Sequence, residues 1–152
     1  MNEGIPRFNH IALTVAPEAL DARGRADLLR FYGEVFGWTE MPGMTRDREL
    51  LVLRCHSNEQ FVYVHAAEEP MRCGPTEHFG LSVPRVEQLD STWERARKLA
   101  EGDPEVHLAP RRTDDFGAVK LHAFYVRYKL PVMIEVQCFE WAEGLDEQSL
   151  PG

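Results

Sequence analysis

Apolar and polar positions fall into two runs of the same order along this 152-residue chain. Residues 8–15 alternate as a strand does, with Phe8, His10, Ala12 and Thr14 on one face, and Pro17 ends the run. A polar connection at 18–26 leads to Asp27, placed to cap a helix in which Leu28, Leu29, Phe31, Tyr32, Val35 and Phe36 recur at helical spacing. Gly37 is the expected stop, and short strands are predicted at 39–44, 49–55 and 60–66. The second run opens with a strand closed by Pro84. A helix at 86–100 follows, with Val86, Leu89, Trp93 and Ala96 on one face, broken at Gly102-Asp103-Pro104. Strands at 105–108, 119–128 and 132–139 complete it. Each half reads β-α-β-β-β.

The opening strands of the halves share more than their pattern. Asn9-His10-Ile11-Ala12-Leu13-Thr14-Val15 returns as Glu77-His78-Phe79-Gly80-Leu81-Ser82-Val83, and from His10 to His78 is 68 positions, nearly half the chain. Self-similarity at a fixed offset marks two copies of one supersecondary unit. It also delivers one histidine from each of two equivalent strands.

Composition narrows the partners. The formal net charge is −8, and the short basic spots Arg46/Arg48 and Arg111-Arg112 each have Asp nearby, reading as solvated turns. Phosphate neutralisation needs clustered Lys and Arg, so a nucleic-acid partner is not expected. No apolar run approaches the ~20 residues of a membrane span, and the opening MNEGIPRFNH lacks a secretory signal's apolar stretch. Cys55, Cys73 and Cys138 are odd in number, far apart and without a C-x-x-C pair, which suggests neither a disulfide framework nor a zinc knuckle. A cytoplasmic protein is the expectation.

Paired βαβββ modules, the repeated H-[IF]-[AG]-L-[TS]-V phrase, and the helix end Phe31-Tyr32-Gly33-Glu34-Val35-Phe36-Gly37-Trp38 together resemble the vicinal-oxygen-chelate superfamily. That is the group of glyoxalase I, bleomycin-resistance proteins, extradiol dioxygenases and fosfomycin-resistance proteins. The likeness spans about residues 7–139. It implies an α+β fold, glyoxalase-like, in which two modules (about 7–69 and 75–139) form one domain whose curled mixed sheets make a cup. An irregular acidic tail, 140–152, follows. It also implies a divalent metal ion (Fe, Mn, Zn, Ni or Co), a small-molecule substrate and a homodimer.

The resemblance carries ligands over by position. First strands supply His10 and His78, and the closing strand Met133-Ile134-Glu135-Val136-Gln137 supplies Glu135. An acid between Ile134 and Val136 faces away from both, and in so apolar a strand it needs a partner that a cation can supply. Setting the closing strands together puts Tyr63 opposite Glu135, where glyoxalase-type members often hold a second carboxylate. The remaining His-His-Glu set leaves positions open for water and substrate. His65 shares Tyr63's face, as a base beside the metal or an alternative ligand. His122 and Tyr125 are further candidates for moving protons, with Tyr63 and Tyr128 as pocket residues and the segments 16–26 and 111–117 as pocket-shaping loops.

Three functions fit such a set. A metal-dependent enzyme could act on an oxygen-chelating substrate, and His-His-Glu leans toward dioxygenase chemistry, although the dioxygenase D-P-x-G turn is matched only in part by Tyr128-Lys129-Leu130-Pro131. A thiol transferase of the fosfomycin-resistance kind needs cations for a phosphonate, and only Lys120 and Arg127 are at hand. A bleomycin-type binding protein needs no catalytic metal, and would have no chemical reason to carry all three ligand positions.

Overall fold

The structure, a computed structural model, describes residues 4–149. It divides into two compact units, Met1–Met71 and Arg72–Gly152, with the boundary inside the proline-flanked stretch 70–75. Both units are mixed α+β, and among the described residues each has one sheet and one α-helix, with no closed barrel.

In the first unit the strands are β1 (His10–Val15), β2 (Thr39–Glu40), β3 (Leu50–Arg54) and β4 (Phe61–Ala66), in sheet order β1-β4-β3-β2. β1 runs parallel to β4, and the other neighbours are antiparallel. The pleat sorts the side chains. Leu13, Val15, Leu51, Leu53, Val62 and Val64 share one face and are all buried, while Phe61, Tyr63 and His65 stand on the other. Helix α1 (Ala22–Phe36) buries Leu28, Phe31, Tyr32 and Val35, the stripe its apolar spacing marks. Gly37 ends it in the left-handed conformation (φ 72°), its N–H bonding back to Gly33.

α1 starts earlier than its apolar residues suggest. Asp21, not Asp27, is the cap, its carboxylate accepting the N–H of Gly24 at 2.8 Å, and a 3-10 turn at Pro17–Leu20 precedes it. The first helical turns, Ala22-Arg23-Gly24-Arg25-Ala26, carry no apolar period, so the pattern read them as connection. The strand expected at 39–44 stops at Glu40, because Gly43 at φ 73° belongs to a turn closed by Met44 N–H on the Met41 carbonyl.

The second unit repeats the plan with one addition. Its strands are β5 (His78–Ser82), β6 (Val106–Leu108), β7 (Arg112–Asp115), β8 (Val119–Tyr128) and β9 (Met133–Trp141), with α2 (Val86–Gly102) after β5. The order is β5-β9-β8-β6, with β7 also on β8, and β5 parallel to β9. β6 and β7 pair with successive stretches of one edge of β8: Val106 to Leu108 with its end, Arg112 to Asp115 with its start. Between them stands Pro110, which has no N–H to give a ladder. β7 reads Arg-Thr-Asp-Asp, without an apolar alternation, and forms a strand where the sequence pattern predicts loop. β9 runs two residues beyond its expected end, so the irregular tail begins at Ala142 among the described residues, and 150–152 lie outside them.

Candidate metal centre

Register places the two halves of the repeat on equal footing. In the first sheet His10 pairs with Phe61 and Ala12 with Tyr63; in the second His78 pairs with Met133 and Gly80 with Glu135. Counting two residues from each histidine reaches Tyr63 in one unit and Glu135 in the other. Tyr63 and Glu135 are therefore equivalent by backbone pairing as well as by sequence.

In the second unit one face of the sheet gathers His78 from β5, Glu135 from β9, Tyr125 from β8 and Arg112 from β7. Glu135 is 5% exposed, and Tyr125 is its direct cross-strand partner. His78 Nε2 lies 3.2 Å from Glu135 Oε2, and the His78 ring meets Tyr125 edge-on at 5.3 Å. Arg112 Nη2 is 3.8 Å from Glu135 Oε1, and its guanidinium sits 5.4 Å from the centre of the Tyr125 ring. Burial, and after it the hydroxyl's hydrogen bond to Glu135, raise the Tyr125 phenol above its usual range.

The tautomer of His78 makes this cluster informative. Its Nδ1 stands 2.8 Å from the Thr76 carbonyl oxygen. A carbonyl only accepts, so Nδ1 carries the hydrogen, and a neutral ring then has a lone pair at Nε2. That lone pair faces a carboxylate oxygen that also only accepts. Two acceptors at 3.2 Å repel each other unless a proton or a cation lies between them. With ligand bonds of roughly 2.0–2.2 Å, two donors on one ion stand about 3 Å apart. An Nδ1–H held by a backbone carbonyl is also the usual support of a metal-binding histidine. The pair fits a divalent ion.

His10 repeats that arrangement in the first unit. Its Nδ1 lies 2.8 Å from Asn9 Oδ1, which leaves Nε2 with the lone pair when the amide oxygen accepts. Its neighbours differ completely. The ring stacks on Phe61 at 5.1 Å, Tyr63 meets it edge-on at 5.8 Å, and Tyr63 contacts His65 at 5.3 Å. His10, Phe61, Tyr63 and His65 make one row of rings. Among the described residues, no group of three or more His, Cys, Asp or Glu side chains is gathered as a metal site.

Two candidates lie away from Glu135's face. His122 pairs with Cys138 on β9 and projects to the opposite side of the sheet, where it is 7% exposed. There its Nε2 is 3.0 Å from Glu140 Oε2 and its Nδ1 2.8 Å from Thr113 Oγ1. One step along a strand reverses the face, and even-numbered residues of β8 point away from Tyr125. Tyr128 goes the same way. It is buried, and its hydroxyl donates to Asp103 Oδ2 at 2.9 Å, so it does not line the approach to Glu135. Lys120 likewise stands beside Glu140. Arg112 is the functional-face residue that sequence reading missed. Its only signal is a two-residue spacing from Asp114 in a polar segment, which a solvated turn shows equally well.

Two mixed sheets built from equivalent β-α-β-β-β units, each opening on a histidine strand parallel to its closing strand, define the glyoxalase-like fold. Comparison with solved structures agrees. The chain is similar to a possible glyoxalase from Bacillus cereus (23% identity, TM-score 0.61, covering 87% of this chain and 98% of that one). It is similar to a glyoxalase/bleomycin resistance protein/dioxygenase from Alicyclobacillus acidocaldarius (13%, TM-score 0.61, 86% and 89%). It also resembles the fosfomycin resistance protein FosX from Listeria monocytogenes (16%, TM-score 0.58, 88% and 93%). No family model and no curated protein matches the sequence. No helix among the described residues is long and apolar enough to cross a membrane.

Proposed function

We propose that this chain is a divalent-metal-dependent enzyme of the glyoxalase/bleomycin-resistance/dioxygenase type, acting on a small substrate that chelates through two oxygens. His78 and Glu135 hold the ion with His10 as third ligand, and a homodimer in the cytoplasm is the setting that goes with the reading. The observation that carries it is the approach of two acceptors, His78 Nε2 and Glu135 Oε2, which a proton or a cation must bridge and which a divalent ion fits. His10 joins them on its repeat position and its matching tautomer.

Bound there, a divalent ion supplies Lewis acidity and a template for adjacent substrate oxygens. The chain's own residues do the rest. Thr76 fixes the His78 ring through Nδ1–H. Tyr125 keeps its proton, and its hydroxyl can pass that proton to or from a substrate oxygen or hold it on Glu135. His65, beside Tyr63, is a second base on the first unit's ring row. Within this class the His-His-Glu set leans toward oxygen-dependent ring cleavage, which ferrous iron, a catechol and an oxygen electrode would test.

A second reading, sequestration of an aromatic drug, draws on the row of His10, Phe61, Tyr63 and His65. Metal analysis separates the two. Wild type supplemented with Fe(II), Mn(II), Zn(II), Ni(II) or Co(II) should retain metal near stoichiometry, and Glu135→Ala and His78→Ala should lose at least 100-fold in affinity. A wild type that stays metal-free under every supplement would sink the enzyme reading and leave sequestration.

A further inference from the structure

We infer that Arg112 sets the substrate's charge: the molecule that binds beside Glu135 carries an acidic group, a carboxylate, in addition to its chelating oxygens. This rests on the metal reading above and adds the substrate class. Arg112 reaches the site from β7, where alternation and pairing with Ala123 put it on the face of Tyr125 and Glu135. Its Nε lies 3.3 Å from Asp114 Oδ2, and its Nη2 3.8 Å from Glu135 Oε1. A charge-assisted N–H···O bond is about 2.7–2.9 Å, so Nη2 is aimed at a carboxylate without being closed onto it. The side chain remains 51% exposed, against 6% for Glu135, so one end of the fork faces open space while the acid it attends is buried.

Charge counting gives this placement its consequence. Glu135 and Asp114 carry two negative charges and Arg112 one positive, so the set without metal is one charge negative. A divalent ion between His78 and Glu135 takes up the Glu135 charge and leaves the set one charge positive. Arg112 then has a guanidinium half-exposed beside the site, still held at Nε by Asp114 but no longer opposed at Nη2 by an uncompensated Glu135. A planar fork of N–H donors matches a carboxylate better than it matches a neutral oxygen. The Tyr125 ring, 5.4 Å beneath the guanidinium, holds its plane and leaves the edge for the ligand. If Arg112 served only to neutralise Glu135, its loss would alter metal affinity and leave ligand choice alone.

The test uses Co(II)-loaded protein and ligands that differ by one carboxylate: catechol against 2,3- and 3,4-dihydroxybenzoate, followed by the cobalt visible spectrum and by calorimetry. Wild type should bind at least one dihydroxybenzoate about tenfold more tightly than catechol, the gain of one charge-assisted hydrogen bond. Arg112→Gln should lose that preference while cobalt and catechol affinities stay within about threefold. Arg112→Lys should keep part of it, having the charge without the fork. Cobalt uptake is measured first, so wild type that takes up no cobalt overturns the metal reading and this inference with it. Uptake with no charge preference in wild type, or with the preference intact in Arg112→Gln, overturns the role of Arg112 alone.

Discussion

The two units are built on one plan and furnished differently. Each opens on a strand whose histidine turns Nδ1 toward an oxygen of a preceding residue, Asn9 or Thr76, and each runs that strand parallel to its last one. Two residues on, the plan holds Tyr63 in one unit and Glu135 in the other. Around Tyr63 there are rings, and around Glu135 there are a guanidinium, a phenol and an imidazole. The two units thus share the backbone plan and the histidines, and the buried carboxylate with its charged and polar neighbours stands in one of them. A carboxylate is costly to bury, so carrying one at a single position where one suffices is the less expensive arrangement.

The largest expected effect breaks that asymmetry directly. Glu135→Tyr makes the second unit copy the first, and metal uptake should fall at least 100-fold, read by competition with a chromophoric chelator. Tyr63→Ala should leave uptake within about threefold. The reverse change sharpens the comparison. Tyr63→Glu installs a carboxylate at the equivalent position beside His10, and total metal uptake should rise, as for a first unit gaining a His–Glu pair of its own. No rise would mean that Tyr63 and Glu135 are equivalent in register only.

The helices differ in the same instructive way. A Cβ added to Gly24 of α1 would lie 2.1 Å from the Ala19 carbonyl oxygen, a contact with backbone of the preceding 3-10 turn that no rotamer can relieve. Gly24→Ala should therefore cost about 3 kcal/mol, at the upper end of overpacking changes, measured by urea unfolding. Gly102, the last residue of α2, meets nothing within 4 Å. Gly102→Ala should be neutral or add about 0.5 kcal/mol by restricting the unfolded chain. Equal changes at both glycines would show that the turn at Ala19 shifts to admit the methyl group and that the close approach does not decide.

How much of this the sequence disclosed follows from what generates a pattern. Strands that bury one face show alternation, which is why β8 appears at its observed limits, 119–128, and why His10, His78 and Glu135 could be placed on their strands. β7 buries little, so Arg112-Thr113-Asp114-Asp115 has no apolar signature, and its place on β8 comes from backbone bonds that side chains do not announce. Arg112 was invisible for that reason. Face assignment failed at His122 and Tyr128 for another. Both lie on the same strand as Tyr125, but proximity along a strand says nothing about side, and their odd separations from Tyr125 already placed them opposite. The Asp21 cap was hidden because a short polar helical turn looks like a loop until its carboxylate is seen on Gly24.

His122 offers the smallest and most discriminating comparison, against His65. Both were candidates for moving protons, and both are strand histidines, one in each unit. His122 is buried on the side of the sheet away from Glu135, with a bond to Glu140 at one nitrogen and to Thr113 at the other. Arg111 adds a link from Thr113 Oγ1 and a salt bridge to Asp90 of α2, so the network ties β7, β8, β9 and the helix together. Removing its centre breaks the link between Thr113 and Glu140 and leaves a gap at a buried position. His122→Ala should therefore lower unfolding free energy by about 1–2 kcal/mol, while metal uptake stays unchanged. His65 is half-exposed, and its ring contact is Tyr63. His65→Ala should change stability by no more than about 0.5 kcal/mol, and any effect should appear in turnover or ligand affinity. A His122→Ala protein that folds as stably as wild type but loses turnover would reverse the assignment and return His122 to the chemistry.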